Sequence, residues 1–197
     1  MLKIVLASGS PRRAELLAQI GLPFEVCVPD VDETPLPDEL PEAYVERLAI
    51  IKAQKATAPD SVAIGADTTV VLDGRILAKP VDEGDAVAML CALAGRAHRV
   101  LTGLAVTDGP RTESIVVSAD VTFRELAPGE AVAYWRTGEA ADKAGGYGIQ
   151  GIGGIFAKSI QGSYSAVVGL PLCETENLLR AFGVETWKLR ELKREHG

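Results

Sequence analysis

The chain has 197 residues, 47% of them hydrophobic and 24% charged, which suits one soluble globular domain with a sizeable core. Its 20 basic and 27 acidic side chains leave a net charge of −7, which argues against broad binding to nucleic acid or to an anionic membrane but permits one local basic pocket. Cys27, Cys91 and Cys173 are scattered, odd in number and lack a CxxC pair, so they read as small core residues in a reducing compartment. The opening apolar run is too short for a signal peptide and no stretch approaches a membrane span, so a cytoplasmic protein is expected.

Leu2 to Ala7 is apolar apart from one lysine, the pattern of a short buried strand. Ser8-Gly9-Ser10 is a turn. Ser10 as N-cap and Pro11 at the first helical position start a helix whose stripe is Leu16, Leu17 and Ile20, and Gly21 with Pro23 ends it. Asp30 to Glu42 (DVDETPLPDELPE) is a proline-rich acidic loop. A helix follows over about Glu42 to Ala58, with Val45, Leu48, Ala49, Lys52 and Ala56 on one face, so that Lys52 interrupts an apolar stripe. Two strands around the turn Asp73-Gly74 occupy Ser61 to Pro80. Glu83 to Leu93 is helical with Ala86, Met89, Leu90 and Leu93 inward. Val100 to Thr107 and Ser114 to Phe123 are strands, Gly129 to Thr137 a short helix, Ala166 to Leu170 a strand, and Leu172 to Phe182 a helix. Six glycines fall between Gly145 and Gly154, which requires a loop or a closely approached strand. The order of elements indicates one α/β domain with a mixed sheet.

Five places can carry chemistry. In SGSPRR, a glycine turn between strand and helix presents backbone N–H groups where the helix dipole favours an anion, and Arg12 and Arg13 add planar donor forks; Ser8, Ser10 and both arginines then form a phosphate seat, unless the arginines only project into solvent. Lys52 either snorkels to the helix edge or, if buried, needs an anion beside it. Asp67 stands inside the β-prone run VAIGADTTVVL, where a carboxylate must be hydrogen-bonded or hold a metal. A regular hairpin about Asp73-Gly74 would pair Thr68 with Lys79 and turn Asp67 to the opposite face, so a site shared by Asp67 and Lys79 requires a re-aimed strand end. Glu33 is either a solvated loop acid or a hard-cation ligand next to Asp67. In DKAGGYGIQG, glycines let backbone approach a flat ligand and the Gln150 amide suits a base edge, or the stretch is a glycine-rich hairpin with a surface glutamine. His98 reads as structural, His196 lies in the tail, and neither completes a serine- or cysteine-hydrolase arrangement. Together these groups fit a nucleoside triphosphate.

The stretches LASGSPRRAELL, DVDETP, RLAIIKAQKA, IGADTTVVLDGRILAKP, MLCALAGRAHRVLTGLAV, DKAGGYGIQGIGG and GSYSAVVGLPLCET, in this order over all but the tail, closely resemble the Maf family of nucleotide pyrophosphatases. The resemblance implies a single domain over residues 1–197 with a long mixed β-sheet flanked by helices, in two lobes about a central cleft as in inosine-triphosphate pyrophosphatases. It implies hydrolysis of a nucleoside triphosphate to monophosphate and pyrophosphate with a divalent cation, Mg²⁺ or Mn²⁺, and a homodimer. Asp67 falls on the family's catalytic aspartate; Arg12, Arg13, Lys52 and Lys79 fall on its basic residues, and Glu33 on its acidic loop position, a metal ligand with Asp67. Asp142 and Lys143 are catalytic or supportive. Arg12, Thr68 and Gln150 match the branch associated with dTTP and UTP; the branch associated with 7-methylguanosine triphosphate carries other residues there. Ala78 stands where glycine is usual and Gly146 where alanine is common. A nucleotide-binding regulator of septum formation and a pyrophosphatase for a modified purine nucleotide are the alternatives.

Overall fold

The computed structural model describes residues 2–195, so His196 lies outside the described residues. Strand β1 (Lys3–Ala7) leads through the serine–glycine turn into helix α1 (Pro11–Gln19). Pro11 occupies the first helical position after an extended Ser10, and Gly21 at φ 76° closes the other end in the left-handed region. Ser10 does not cap with its own side chain; its N–H donates to Ser8 Oγ at 3.2 Å. Strand β2 (Glu25–Cys27), too short to show a pattern in sequence, pairs parallel with β1.

Helix α2 (Pro41–Lys55) begins on a second proline and buries Val45, Leu48, Ala49, Lys52 and Ala53. Strand β3 (Ser61–Leu72) is parallel to β1 and turns at Asp73-Gly74, both at positive φ, into the antiparallel β4 (Arg75–Leu77). Positive φ at both central residues is the hairpin geometry that an Asp-Gly pair favours. Helix α3 (Glu83–Leu93) is capped by the Asp82 carboxylate, which accepts from Asp85 N–H at 2.8 Å. It buries Ala86, Leu90 and Leu93, while Met89 is only half-buried.

The remaining strands and α-helices are β5 (Ala97–Thr107), β6 (Thr112–Phe123), α4 (Glu130–Trp135), β7 (Ala157–Gln161), α5 (Tyr164–Val168), α6 (Leu172–Ala181) and α7 (Thr186–Glu195), and the glycine-rich stretch carries two short 3-10 turns, Ala144–Gly146 and Ile152–Phe156. Among the described residues the seven strands form one mixed sheet ordered β2-β1-β3-β5-β6-β7, with β4 on β3, and helices flank it. The stretch expected as a strand over Ala166 to Leu170 is instead α5 up to Val168. Ser163 starts it, accepting from Ala166 N–H through Oγ and from Val167 N–H through its carbonyl. A short apolar run has no periodicity to separate a buried strand from a buried helical turn. Nor do the cysteines fill the core: Cys91 and Cys173 are exposed and Cys27 half-buried.

The chain divides into two compact units. The first comprises Met1–Asp67, Thr102–Val117 and Gly169–Gly197, the second Thr68–Leu101 and Ser118–Val168. In the first, small residues bring helix and sheet close: Ala49 and Ala53 of α2 pack on Ala105, and Ala56 packs with Val5, Ala7 and Ala63. The second has an aromatic core of Phe123, Tyr134, Tyr147 and Phe156, in which Phe123 and Tyr147 meet edge-on at 4.7 Å. His98 joins it at 3% exposure, with Nε2 2.8 Å from the Tyr147 hydroxyl and Nδ1 unpartnered.

Candidate active site

Two glycines determine how α2 sits. A Cβ on Gly65 of β3 would lie 2.1 Å from the Ala49 carbonyl oxygen, and one on Gly103 of β5 would lie 2.2 Å from that of Val45. Only glycine allows helix backbone to rest directly on strand backbone there. Asp67 follows Gly65 by two residues and so shares its face of β3, while Lys52 lies one residue from Ala53 on the helix above. Close packing therefore carries the lysine to the aspartate. Lys52 Nζ is 2.7 Å from Asp67 Oδ1, with Lys52 at 8% and Asp67 at 7% exposure. The buried alternative for Lys52 holds, and its anion is Asp67.

A second carboxylate closes on the same ammonium. Lys52 Nζ lies 2.6 Å from Glu33 Oε1. The loop bearing Glu33 is strapped to α2 at several points. The Tyr44 hydroxyl donates to the Glu33 carbonyl at 3.0 Å, Lys55 donates to the Asp30 carbonyl, and Arg47 binds the Thr34 carbonyl at 3.3 Å and both oxygens of Glu39. Tyr44, Lys52 and Lys55, spaced by eight and three, lie along one side of the helix. Sequence reasoning missed Tyr44 and Arg47, since a tyrosine and an arginine on a helix edge carry no signal until a loop lies across them.

Arg13 donates through Nε to the Gly169 carbonyl at 2.8 Å and through Nη1 to Ser8 Oγ at 3.1 Å. Ser8 Oγ thus receives both Arg13 and the Ser10 N–H, which fixes the turn before α1. Burial pulls the Arg13 pKa below its ordinary value, while the charges of Asp67 and Glu33 hold it up and that of Arg12 pushes it down. Arg12 and Arg13 are half-buried. The guanidinium pair and the acid therefore belong to one electrostatic neighbourhood.

Burial raises the Asp67 pKa above the ordinary carboxylate value, against the opposing pull of Lys52 and Arg13. Tyr44 is pushed up to about 12, by burial first and then by the charges of Asp67 and Glu33. Ser8, Ser10, Arg12, Arg13, Glu33, Lys52 and Asp67 all belong to the first unit. Thr68, Lys79, Asp142, Lys143 and Gln150 belong to the second. There β4 stops at Leu77, so no ladder pair joins Thr68 to Lys79, and the regular hairpin does not extend to the lysine. Lys79 and Gln150 are exposed, and Lys143 binds Asp142 at 2.6 Å.

Residues 3–182 match the family model described as Maf-like protein. The chain belongs to the Maf family. It is 52% identical over 191 residues to the dTTP/UTP pyrophosphatase of Saccharophagus degradans, covering 94% of this chain and 91% of that protein. It is 54% identical over 183 residues to the dTTP/UTP pyrophosphatase of Vibrio cholerae, covering 91% and 98% respectively. The match to the dTTP/UTP pyrophosphatase of Pseudoalteromonas atlantica is 53% over 182 residues, covering 89% and 95%.

Two carboxylates converging on one cationic position also suit a metal ion. Glu33 and Asp67 offer hard oxygen donors, and a small divalent ion takes one or two carboxylates and completes its shell with phosphate oxygens and water. No group of three or more His, Cys, Asp or Glu side chains able to hold a metal occurs among the described residues. No helix among them is long and apolar enough to cross a membrane.

Proposed function

We propose that this chain is a nucleoside triphosphate pyrophosphatase acting on dTTP and UTP. The observation that carries the reading is the buried Asp67 carboxylate, held by Lys52 and set in the field of Arg13 beside the glycine turn that opens α1. The relatives' names supply the pyrimidine nucleotides.

The reaction forms a bond from water oxygen to the α-phosphorus and breaks the bond to the bridging oxygen of the departing pyrophosphate. Asp67 is the general base: burial raises its proton affinity towards that of a useful base, and Lys52 keeps its oxygen oriented. Ser8, Ser10, Arg12, Arg13, Lys52 and Lys79 bind the phosphate chain, the cations offsetting charge that grows on the leaving group. Arg13 enters this role already fixed by the Gly169 carbonyl, so its fork need not be ordered on binding. Glu33 and Asp67 would hold Mg²⁺ or Mn²⁺, which when bound supplies charge neutralisation at the phosphate oxygens. Thr68 and Gln150 select the base, and Asp142 and Lys143 support the segment that carries Gln150. The enzyme acts as a cytoplasmic homodimer in this reading, as the resemblance implies.

The test is Asp67→Asn, assayed by pyrophosphate release from dTTP and UTP with Mg²⁺ and with Mn²⁺, alongside nucleotide binding by calorimetry. Turnover should fall by about 10²–10⁴-fold, the range for loss of a positioned base, with nucleotide affinity largely kept. Turnover that stays at the wild-type level would overturn the assignment.

A further inference from the structure

The glycine-rich segment is built around a residue with no assigned part in the reaction. Glu139 lies between α4 and that segment, and its carboxylate gathers three donors. Oε1 accepts from the Tyr134 hydroxyl at 2.7 Å and from Gly153 N–H at 2.9 Å, and Oε2 accepts from Ile152 N–H at 2.8 Å. Gly148 N–H donates in turn to the Tyr134 hydroxyl at 3.0 Å. Residues 148–153 are thereby wrapped about one carboxylate. Within the wrap, Gly151 N–H closes a turn on the Gly148 carbonyl at 3.2 Å, and Gln150 is the third residue of that turn, exposed at its tip.

Glycine at three of these positions leaves room for the carboxylate and for the side chains packed with it. A Cβ on Gly151 would lie 2.2 Å from Glu139 Oε2, one on Gly148 would lie 3.0 Å from Oε1, and one on Gly153 would lie 2.7 Å from the Tyr134 hydroxyl oxygen. Two further ties anchor the segment: Lys143 Nζ donates to the Glu139 carbonyl at 2.6 Å, and Gly145 N–H donates to the Ala78 carbonyl, one residue before Lys79, at 3.1 Å. The backbone N–H bonds, with the Tyr134 hydroxyl and Lys143, outweigh burial and hold the Glu139 carboxyl below its usual pKa, so it is ionised and accepts only.

We infer that Glu139 is a positioning residue for base selection: its carboxylate fixes the turn 148–153 and so fixes where Gln150 presents its amide. The inference rests on the reading of Gln150 as a base-selecting residue. Glu139→Gln keeps the size but replaces one acceptor oxygen with an NH₂ that faces N–H donors, so the wrap loosens on that side.

The experiment compares wild type, E139Q, Q150A and the double variant, measuring kcat and KM for dTTP, UTP, dCTP, dGTP and 7-methyl-GTP. E139Q should lower the preference for dTTP and UTP over the other nucleotides by about tenfold, chiefly through KM. The double variant should lose no more preference than Q150A alone, because both changes act through one amide. An unchanged ranking in E139Q, with Q150A altered, overturns the inference, as does an additive loss in the double variant. An unchanged ranking in Q150A overturns the assignment of Gln150 itself and the inference with it. If E139Q does not fold, Tyr134→Phe removes one of the three donors and is read by the same ranking: a shift supports the inference and no shift overturns it.

Discussion

Replacing Lys52 by methionine tests the buried pair at the centre of the site. Methionine keeps the length and apolar body of the stem that lies in the α2 stripe, and removes the ammonium 2.7 Å from Asp67 Oδ1. Asp67 is then a carboxylate at 7% exposure without its closest cation. Removing one partner of a buried pair costs about 3–5 kcal/mol. Glu33 also loses this ammonium, but its side chain is 47% exposed, so the loss adds little. The pH dependence separates this cause from simple loss of packing. The folded pKa of Asp67 is already raised by burial, so its contribution to stability is fully present below the unfolded value and is lost as pH rises through the folded value. Deleting Lys52 removes the largest force opposing that rise and extends the loss to higher pH. Urea unfolding of wild type and Lys52→Met should therefore differ by about 3–5 kcal/mol near pH 7.5, by much less at acidic pH, and by little in the Asp67→Asn background. A difference that is the same at both pH values, or below about 1 kcal/mol at neutral pH, would refute the account of Asp67 as a buried charge held by Lys52.

Gly65→Ala places a methyl group 2.1 Å from the Ala49 carbonyl and 2.6 Å from the Ala53 nitrogen, so α2 must lift from the sheet. Thermal unfolding should show a loss of about 1–3 kcal/mol or more, and pyrophosphate release should fall as Lys52 moves from Asp67; wild-type values for both would contradict the contact. Burial lowers the His98 pKa from 6.5 to about 4, so its stabilising contribution is present above the unfolded value and is lost as pH falls towards the folded one. His98→Gln should flatten the stability profile over that interval by about 3 kcal/mol, and an NMR titration of the His98 ring near its ordinary value would sink the argument.

The local signals in the sequence are those that survive without neighbours. Pro11 after Ser10 started a helix and Asp73-Gly74 turned a hairpin, because each acts through its own backbone within a few residues. Lys52 and Asp67 were conspicuous as polar groups in apolar settings, and burial of a charge demands a partner wherever it occurs. The seven motifs in order carried the family.

What tertiary structure decided is which groups became partners. Gly65 and Gly103 carry no local sign that helix backbone will rest on them, yet that contact brings a lysine and an aspartate 15 residues apart to 2.7 Å. Tyr44 and Arg47 became loop straps only once the acidic loop lay over α2. Glu139 is one acid among many until three donors from Tyr134 and residues 152–153 converge on it. A strand or helix signal depends on the chain's own repeat, which one sequence contains. A convergence of side chains depends on packing distances between segments, and those exist only after the chain has folded.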